Sequence, residues 1–157
     1  MSGGAFRDLP DPAGGAGGRR DGADPRARVE VERRDGCTVA RVEGEIDYRT
    51  APGVRESLLQ AVRDDRPRCM VVDLDRVDFF DSSGLGTLVA VWKAAQLQGG
   101  RLVIARATGR CRHVLKITGV DRRIPVVETL PEALAHATLP PPDPDSSAAE
   151  GPPEPVR

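Results

Sequence analysis

No apolar run in the 157-residue sequence approaches the ~18 residues that a membrane-spanning helix requires. The arginines near the N-terminus are followed by no apolar stretch, so a secretory signal is missing too. Self-similarity at periods of about 20–50 residues is absent, which sets solenoids and other repeat arrays aside. Cysteine is scarce: Cys37, Cys69 and Cys111 are odd in number, far apart and never spaced Cys-x-x-Cys. They read as buried free thiols of a reducing compartment. Two histidines, His113 and His136, cannot build a metal site with such scattered cysteines, and no cofactor is expected. An excess of one charge is lacking as well. The chain carries 23 basic and 24 acidic residues, and positions 28–139 hold 18 and 16 of them. That balance offers no broad footprint for duplex nucleic acid. Together these absences describe a cytoplasmic protein with neither a membrane nor a nucleic acid as direct partner.

What is present divides the chain into three. Residues 1–27 hold seven of the 17 glycines and three of the 14 prolines, with almost nothing apolar to bury. Residues 140–157 hold seven more prolines. Both segments are expected to be disordered, because burial cannot offset their ordering entropy. The 112 residues of 28–139 can bury one core but not two.

Within that middle, strand and helix patterns alternate. Arg28 to Arg33 places Val29 and Val31 on one face of a strand, and Asp35-Gly36 turns it into a second strand, Cys37 to Val42. Thr50 is placed to cap a helix bearing Ala51, Val54, Leu58 and Ala61 at helical spacing. Cys69 to Leu74 reads as a central strand covered on both faces. A helix after Asp81 carries Leu85, Leu88, Trp92 and Ala95, and Gly99-Gly100 ends it. Leu102 to Ala105 is a further strand, and Cys111, Val114, Leu115 and Thr118 line a short helix closed by Gly119. Ile124 to Val127 is a last strand, and Thr129-x-x-Glu132 is a capping box for a helix reaching Ala137. The order ββαβαβαβα implies an α/β fold, a mixed and largely parallel sheet with helices packed against it.

The segment Asp81-Ser82-Ser83-Gly84-Leu85-Gly86 lies where the third strand gives way to the second helix. Asp81 has the side chain to accept from the first free amides, and Ser82 sits at or beside the N-cap. Gly84 and Gly86 are poor helix formers, by up to ~1 kcal/mol each against alanine. Two of them in one first turn suggest a close backbone approach. Capping chemistry alone also accommodates a plain helix start with a small-residue packing face.

Gly44-Glu45-Ile46-Asp47, the Val71-Val72-Asp73-Leu74 strand and Asp81-Ser82-Ser83-Gly84-Leu85-Gly86 together resemble the STAS family, in its branch of freestanding bacterial anti-sigma factor antagonists. The likeness spans essentially all of 28–139 in matching element order. It implies a non-enzymatic protein that, unphosphorylated, binds an anti-sigma factor and so frees a sigma factor for transcription. The anti-sigma factor implied is itself a serine kinase of the histidine-kinase-like ATPase fold, and a phosphatase resets the cycle. By position the phosphorylated serine is Ser82, with Ser83 as the alternative. The implied partner surface takes in Asp47, Asp81, Ser82, Ser83, Gly84, Leu85 and Gly86.

Two rival readings stand beside it. A soluble STAS subunit of a transport ATPase system shares the fold. A haloacid-dehalogenase-like phosphatase would use Asp73 as nucleophile and Asp75 as acid. That chemistry also needs a downstream lysine and an acidic pair for magnesium, and the only lysines are Lys93 and Lys116 with no such pair following. The plainer reading of Asp73 is a strand-end carboxylate satisfied by nearby amides. Ser83 lacks the Gly-x-Ser-x-Gly elbow of a serine hydrolase.

Overall fold

A computed structural model describes residues 26–136. The expected disorder of the two terminal segments, and the end of the last helix at Ala137, lie outside these residues, although Arg26 and Ala27 fall within them. The first strand, β1 (Ala27–Arg34), turns through Asp35 and Gly36, both at positive φ (49° and 83°), into β2 (Cys37–Ile46). Two left-handed residues in a two-residue hairpin match the right-handed twist of the flanking strands. Helix α1 (Ala51–Asp65) follows and buries Ala51, Val54, Leu58, Ala61 and Val62, the expected stripe plus one residue. Strand β3 (Cys69–Phe80) leads into α2 (Ser82–Leu97), and β4 (Arg101–Ala105) into α3 (Gly109–Thr118). A 3-10 turn, a two-residue β5 (Val126–Val127) and α4 (Leu130–Ala135) complete the described chain.

The sheet runs β1-β2-β3-β4-β5 in chain order, with β1 antiparallel to β2 and the other pairings parallel. Each right-handed crossover moves one strand further in the same direction, so all three crossover helices land on one face. There α1, α2 and α3 enclose the main core, with Leu58, Met70, Val72, Leu74, Leu102, Ile104 and Leu115 at its centre. The opposite face carries a smaller cluster, Cys37, Val39, Cys69, Val71, Val103 and Ala105, roofed by Ala133 of α4. The expected mixed, largely parallel sheet is the one observed.

Five details differ from the sequence reading. Strand β2 runs past Val42 to Ile46, because Gly44, Glu45 and Ile46 still pair with β3. Strand β3 continues to Phe80, well past Leu74, because β2 keeps pairing with it up to Ile46 opposite Phe80. Asp75, Arg76, Asp78 and Phe79 hid this extension: they face solvent where no helix covers the sheet. The last strand is only two residues long, while Ile124 is buried in the turn before it. The buried stripe of α2 is Gly84, Thr87, Leu88, Val91 and Ala95, with Leu85 and Trp92 at its half-buried margin. Finally, the Thr50 hydroxyl does not cap α1; it donates to the Glu45 carbonyl (2.7 Å). The capping box of α4 forms as expected, with Glu132 N donating to Thr129 Oγ1 (3.2 Å) and Thr129 N to Glu132 Oε1 (3.1 Å).

Candidate functional site

Parallel strands deliver the turns that follow them to one edge of a sheet. Here the turns after β2 and β3 meet at that edge, since a Cβ on Gly84 would lie 3.1 Å from Ile46 Cγ2. The approach to the β2 turn is set by Gly44, still inside the strand. Its φ is +99°, and any Cβ there would overlap the Arg26 carbonyl oxygen, which accepts the Glu45 amide at 2.9 Å. The register shifts between Gly44 and Glu45, which re-aims the chain toward Asp47.

Asp47 organises the turn from inside. Its Oδ1 accepts the amides of Arg49 (2.9 Å) and Thr50 (3.1 Å), while its own amide donates to Thr50 Oγ1 (3.0 Å). Desolvation pushes its carboxyl up, but the two amide donors and the Arg49 and Arg26 guanidiniums outweigh that and hold it below the usual carboxylate range. With Asp47 mostly buried, the turn presents its neighbours instead. Tyr48 is 73% exposed, with the Arg49 guanidinium 5.6 Å from its ring centre.

The β3 turn is built differently. Asp81 is extended and is the N-cap of α2. Its Oδ1 accepts the Ser83 amide (2.8 Å), and its carbonyl accepts those of Gly84 (3.0 Å) and Leu85 (3.1 Å). One residue thereby satisfies three first-turn donors. Ser82, the first helical residue, is exposed; Ser83 is half-buried and its carbonyl accepts the Thr87 hydroxyl at 3.1 Å. Gly84 is buried against the Phe80 ring, whose carbons would lie 2.6 and 2.7 Å from an added Cβ. Leu85 is half-buried and packs in part on the main core. Gly86 is exposed, with nothing within 4 Å of where its Cβ would be. The expected close approach therefore holds for Gly84 alone.

Residues 28–133 match the STAS domain family. The chain belongs to that family. The STAS domain is 34% identical to an anti-sigma factor antagonist from Mycobacterium paratuberculosis of known crystal structure, with a TM-score of 0.64 over 73% of this chain and 97% of that one. It is 26% identical over 109 residues to the anti-sigma F factor antagonist of Paenibacillus polymyxa, spanning 69% of this chain and 93% of the relative. It is also 33% identical over 92 residues to the anti-sigma-B factor antagonist of Staphylococcus aureus, spanning 59% and 84%. These relatives are named as regulators rather than as enzymes.

Within the STAS domain, Asp73 is neither at a strand end nor held mainly by amides. It lies inside β3, buried, and Arg106 grips it through Nε to Oδ1 (3.2 Å) and Nη2 to Oδ2 (2.6 Å). Asp75 adds one amide donor to Oδ1 (3.1 Å). Buried and clamped by Arg106, the carboxylate is held as a structural ion pair and is not presented to a phosphate ester. Arg106 holds this geometry in a left-handed backbone conformation, φ 55°. Among the described residues no helix is long and apolar enough to cross a membrane.

Sequence reading missed two residues of the site's surface. Tyr48 hides behind Asp47, although an aromatic residue just after a turn aspartate is a signal. Phe79, 36% exposed with Arg110 stacked 5.1 Å from its ring centre, is given no face by the sequence reading. Once β3 is known to reach Phe80, the two-residue period places one phenylalanine inward and the other outward.

Proposed function

We propose that this STAS domain is a cytoplasmic anti-sigma factor antagonist switched by phosphorylation of Ser82. Unphosphorylated, it binds an anti-sigma factor that is a serine kinase of the histidine-kinase-like ATPase fold, and so releases a sigma factor for transcription. A phosphatase restores the binding form. ATP enters through the kinase, and the domain holds no cofactor of its own. The contact surface comprises Asp81, Ser82, Ser83, Leu85 and Gly86, with the buried Gly84 seating the helix start and Asp47 shaping the neighbouring turn.

One observation carries the choice of serine. Ser82 is exposed at the start of a helix whose amides Asp81 already satisfies, whereas Ser83 is half-buried. A phosphate on Ser82 adds about −1.5 to −2 charge at the positive end of α2, which the helix tolerates. The fold therefore stays the same while the surface changes. A partner that buried this edge would have to desolvate a dianion beside Asp81, at a cost on the order of several kcal/mol. Each ~1.4 kcal/mol is already tenfold in affinity.

The test starts by recovering the kinase from native lysate with the tagged protein as bait. Phosphorylation is then mapped, and partner affinity measured, for wild type, Ser82→Ala, Ser83→Ala and Ser82→Asp. Ser82→Ala should accept no phosphate at that position, keep its partner and behave in cells as permanently active. Its stability should change by less than ~0.5 kcal/mol, since Asp81 and not Ser82 is the cap. Ser82→Asp should weaken binding. Phosphate on Ser83 alone would move the site by one residue; no phosphate on either, with affinities all within about threefold, would sink the proposal. Recovery of a transport ATPase in place of a kinase would favour the transport-subunit alternative.

A further inference from the structure

The three cysteines lie far apart in sequence, yet register brings two of them together. Cys37 opens β2 and Cys69 opens β3, and they are direct partners across the parallel pair. Neighbouring strands run about 4.7–4.9 Å apart, inside the Cα separation of about 4.4–6.8 Å that a disulfide spans. Both side chains enter the same small cluster beneath α4. Cys37 Sγ lies 3.8 Å from the Leu134 carbonyl and Cys69 Sγ 4.0 Å from that of Ala133. Cys111 belongs to the main core on the other face, in α3. We propose that Cys37 and Cys69 form a reversible thiol–disulfide site, closed by a two-electron oxidant of the peroxide class that gains access when α4 lifts.

The roles within the pair are unequal. The proximity of the two sulfurs lowers the Cys37 thiol pKa against its burial and raises that of Cys69. Cys37, at the more exposed margin of the pair (2% against 0%), attacks first as the thiolate. Its sulfur takes one oxygen of hydrogen peroxide, the O–O bond breaks, and hydroxide leaves to become water with the proton Cys37 gave up. The Cys69 sulfur then attacks the resulting sulfenic acid, the S–O bond breaks, and a second water leaves with the Cys69 proton. Two thiols have lost two electrons, and peroxide has become two waters.

Both thiols are buried, at 2% and 0% exposure, so their cover must move. That cover is a six-residue helix contributing one buried side chain, Ala133, with Leu130 and Leu134 packed at the margin. Helices this short are marginal by themselves, and elements that bury few side chains open locally far below the global unfolding free energy. The bridge would fasten the beginnings of the two strands whose far ends carry Asp47 and Ser82.

The experiment uses the full chain under native conditions. Wild-type protein is exposed to hydrogen peroxide, quenched with an alkylating agent in denaturant, and read by intact mass and peptide mapping. The expected product is an intramolecular Cys37–Cys69 bridge, reversed by dithiothreitol, that carries one alkyl group, at Cys111, where the reduced protein carries three. Cys37→Ser and Cys69→Ser should each abolish it. Leu134→Ala, which loosens α4, should speed bridging at least fivefold. The proposal is overturned if Cys37 and Cys69 both stay alkylatable, if they gain oxygen without bridging, or if the bridge forms only in denaturant. An unchanged rate in Leu134→Ala would remove α4 as the gate.

Discussion

The turns after β2 and β3 leave neighbouring strands at the same edge and use the same residue type for nearly the same task. Asp47 accepts the amides of Arg49 and Thr50, and Asp81 accepts that of Ser83. Their surroundings diverge. In the first turn the framing groups fold inward, the Thr50 hydroxyl reaching the Glu45 carbonyl and the Asp47 carboxylate the amides of Arg49 and Thr50, while Tyr48 and Arg49 face solvent. In the second, Asp81 alone satisfies the helix start, and the next hydroxyl, that of Ser82, faces solvent. One turn is a frame that fixes the edge; the other offers a group that can be altered without disturbing the frame. A modifiable surface beside a rigid one lets a change of charge alter binding while leaving the fold as it is.

The largest loss is expected at Gly44. Gly44→Ala places a Cβ onto the Arg26 carbonyl at a φ that L residues rarely adopt. We expect a loss of about 3 kcal/mol or more and a fall in Tm beyond ~10 °C, read by thermal denaturation. Gly84→Ala drives a methyl group into the Phe80 ring, for which overpacking costs ~1–3 kcal/mol and helix propensity returns less than ~1. A Tm unchanged in both variants would mean that neither turn is as tightly built as described.

Asp47 sharpens the contrast through pH. Its folded carboxyl sits below the usual range, so its ionised form stabilises the fold at neutral pH. That contribution is complete above the unfolded carboxylate pKa of about 4 and is lost as pH falls through the lower folded value. Asp47→Asn should therefore melt lower than wild type at neutral pH, and the gap should narrow as acid protonates the wild-type side chain. A gap that is constant with pH would show that the charge contributes nothing. Gly86→Ala gives the smallest effect on the fold: its Cβ meets no neighbour, so stability should rise by about 0.5–1 kcal/mol. Partner affinity should nevertheless drop, because the new methyl group stands on the surface that Ser82 shares. Titration calorimetry against the kinase recovered with the wild type would measure it.

Much of this was legible locally. Hairpin, helix stripe and capping box were each written in a few neighbouring residues, and each formed: Asp35-Gly36, Ala51 to Ala61, and Thr129 with Glu132. The cap at Asp81 was legible to the same degree, since it runs through its own sequence neighbours. The misreadings share one cause. The end of β3 depends on which face of the sheet a helix happens to cover, so Asp75, Arg76 and Asp78 read as a loop. Thr50 was assigned the commonest task of its residue type, but a carbonyl from the preceding strand competed for its hydroxyl and won.

By itself, the sequence determined the element order, the apolar faces and the helix starts, because these follow from side-chain period and from hydrogen bonds spanning only a few residues. Only the tertiary structure decided which distant residues meet. Arg106 closes on Asp73, Gly84 must be bare because Phe80 lies beneath it, and Cys37 faces Cys69. Each meeting is set by strand register and by the single direction of the crossovers, and no short stretch of sequence encodes a register between strands some thirty residues apart.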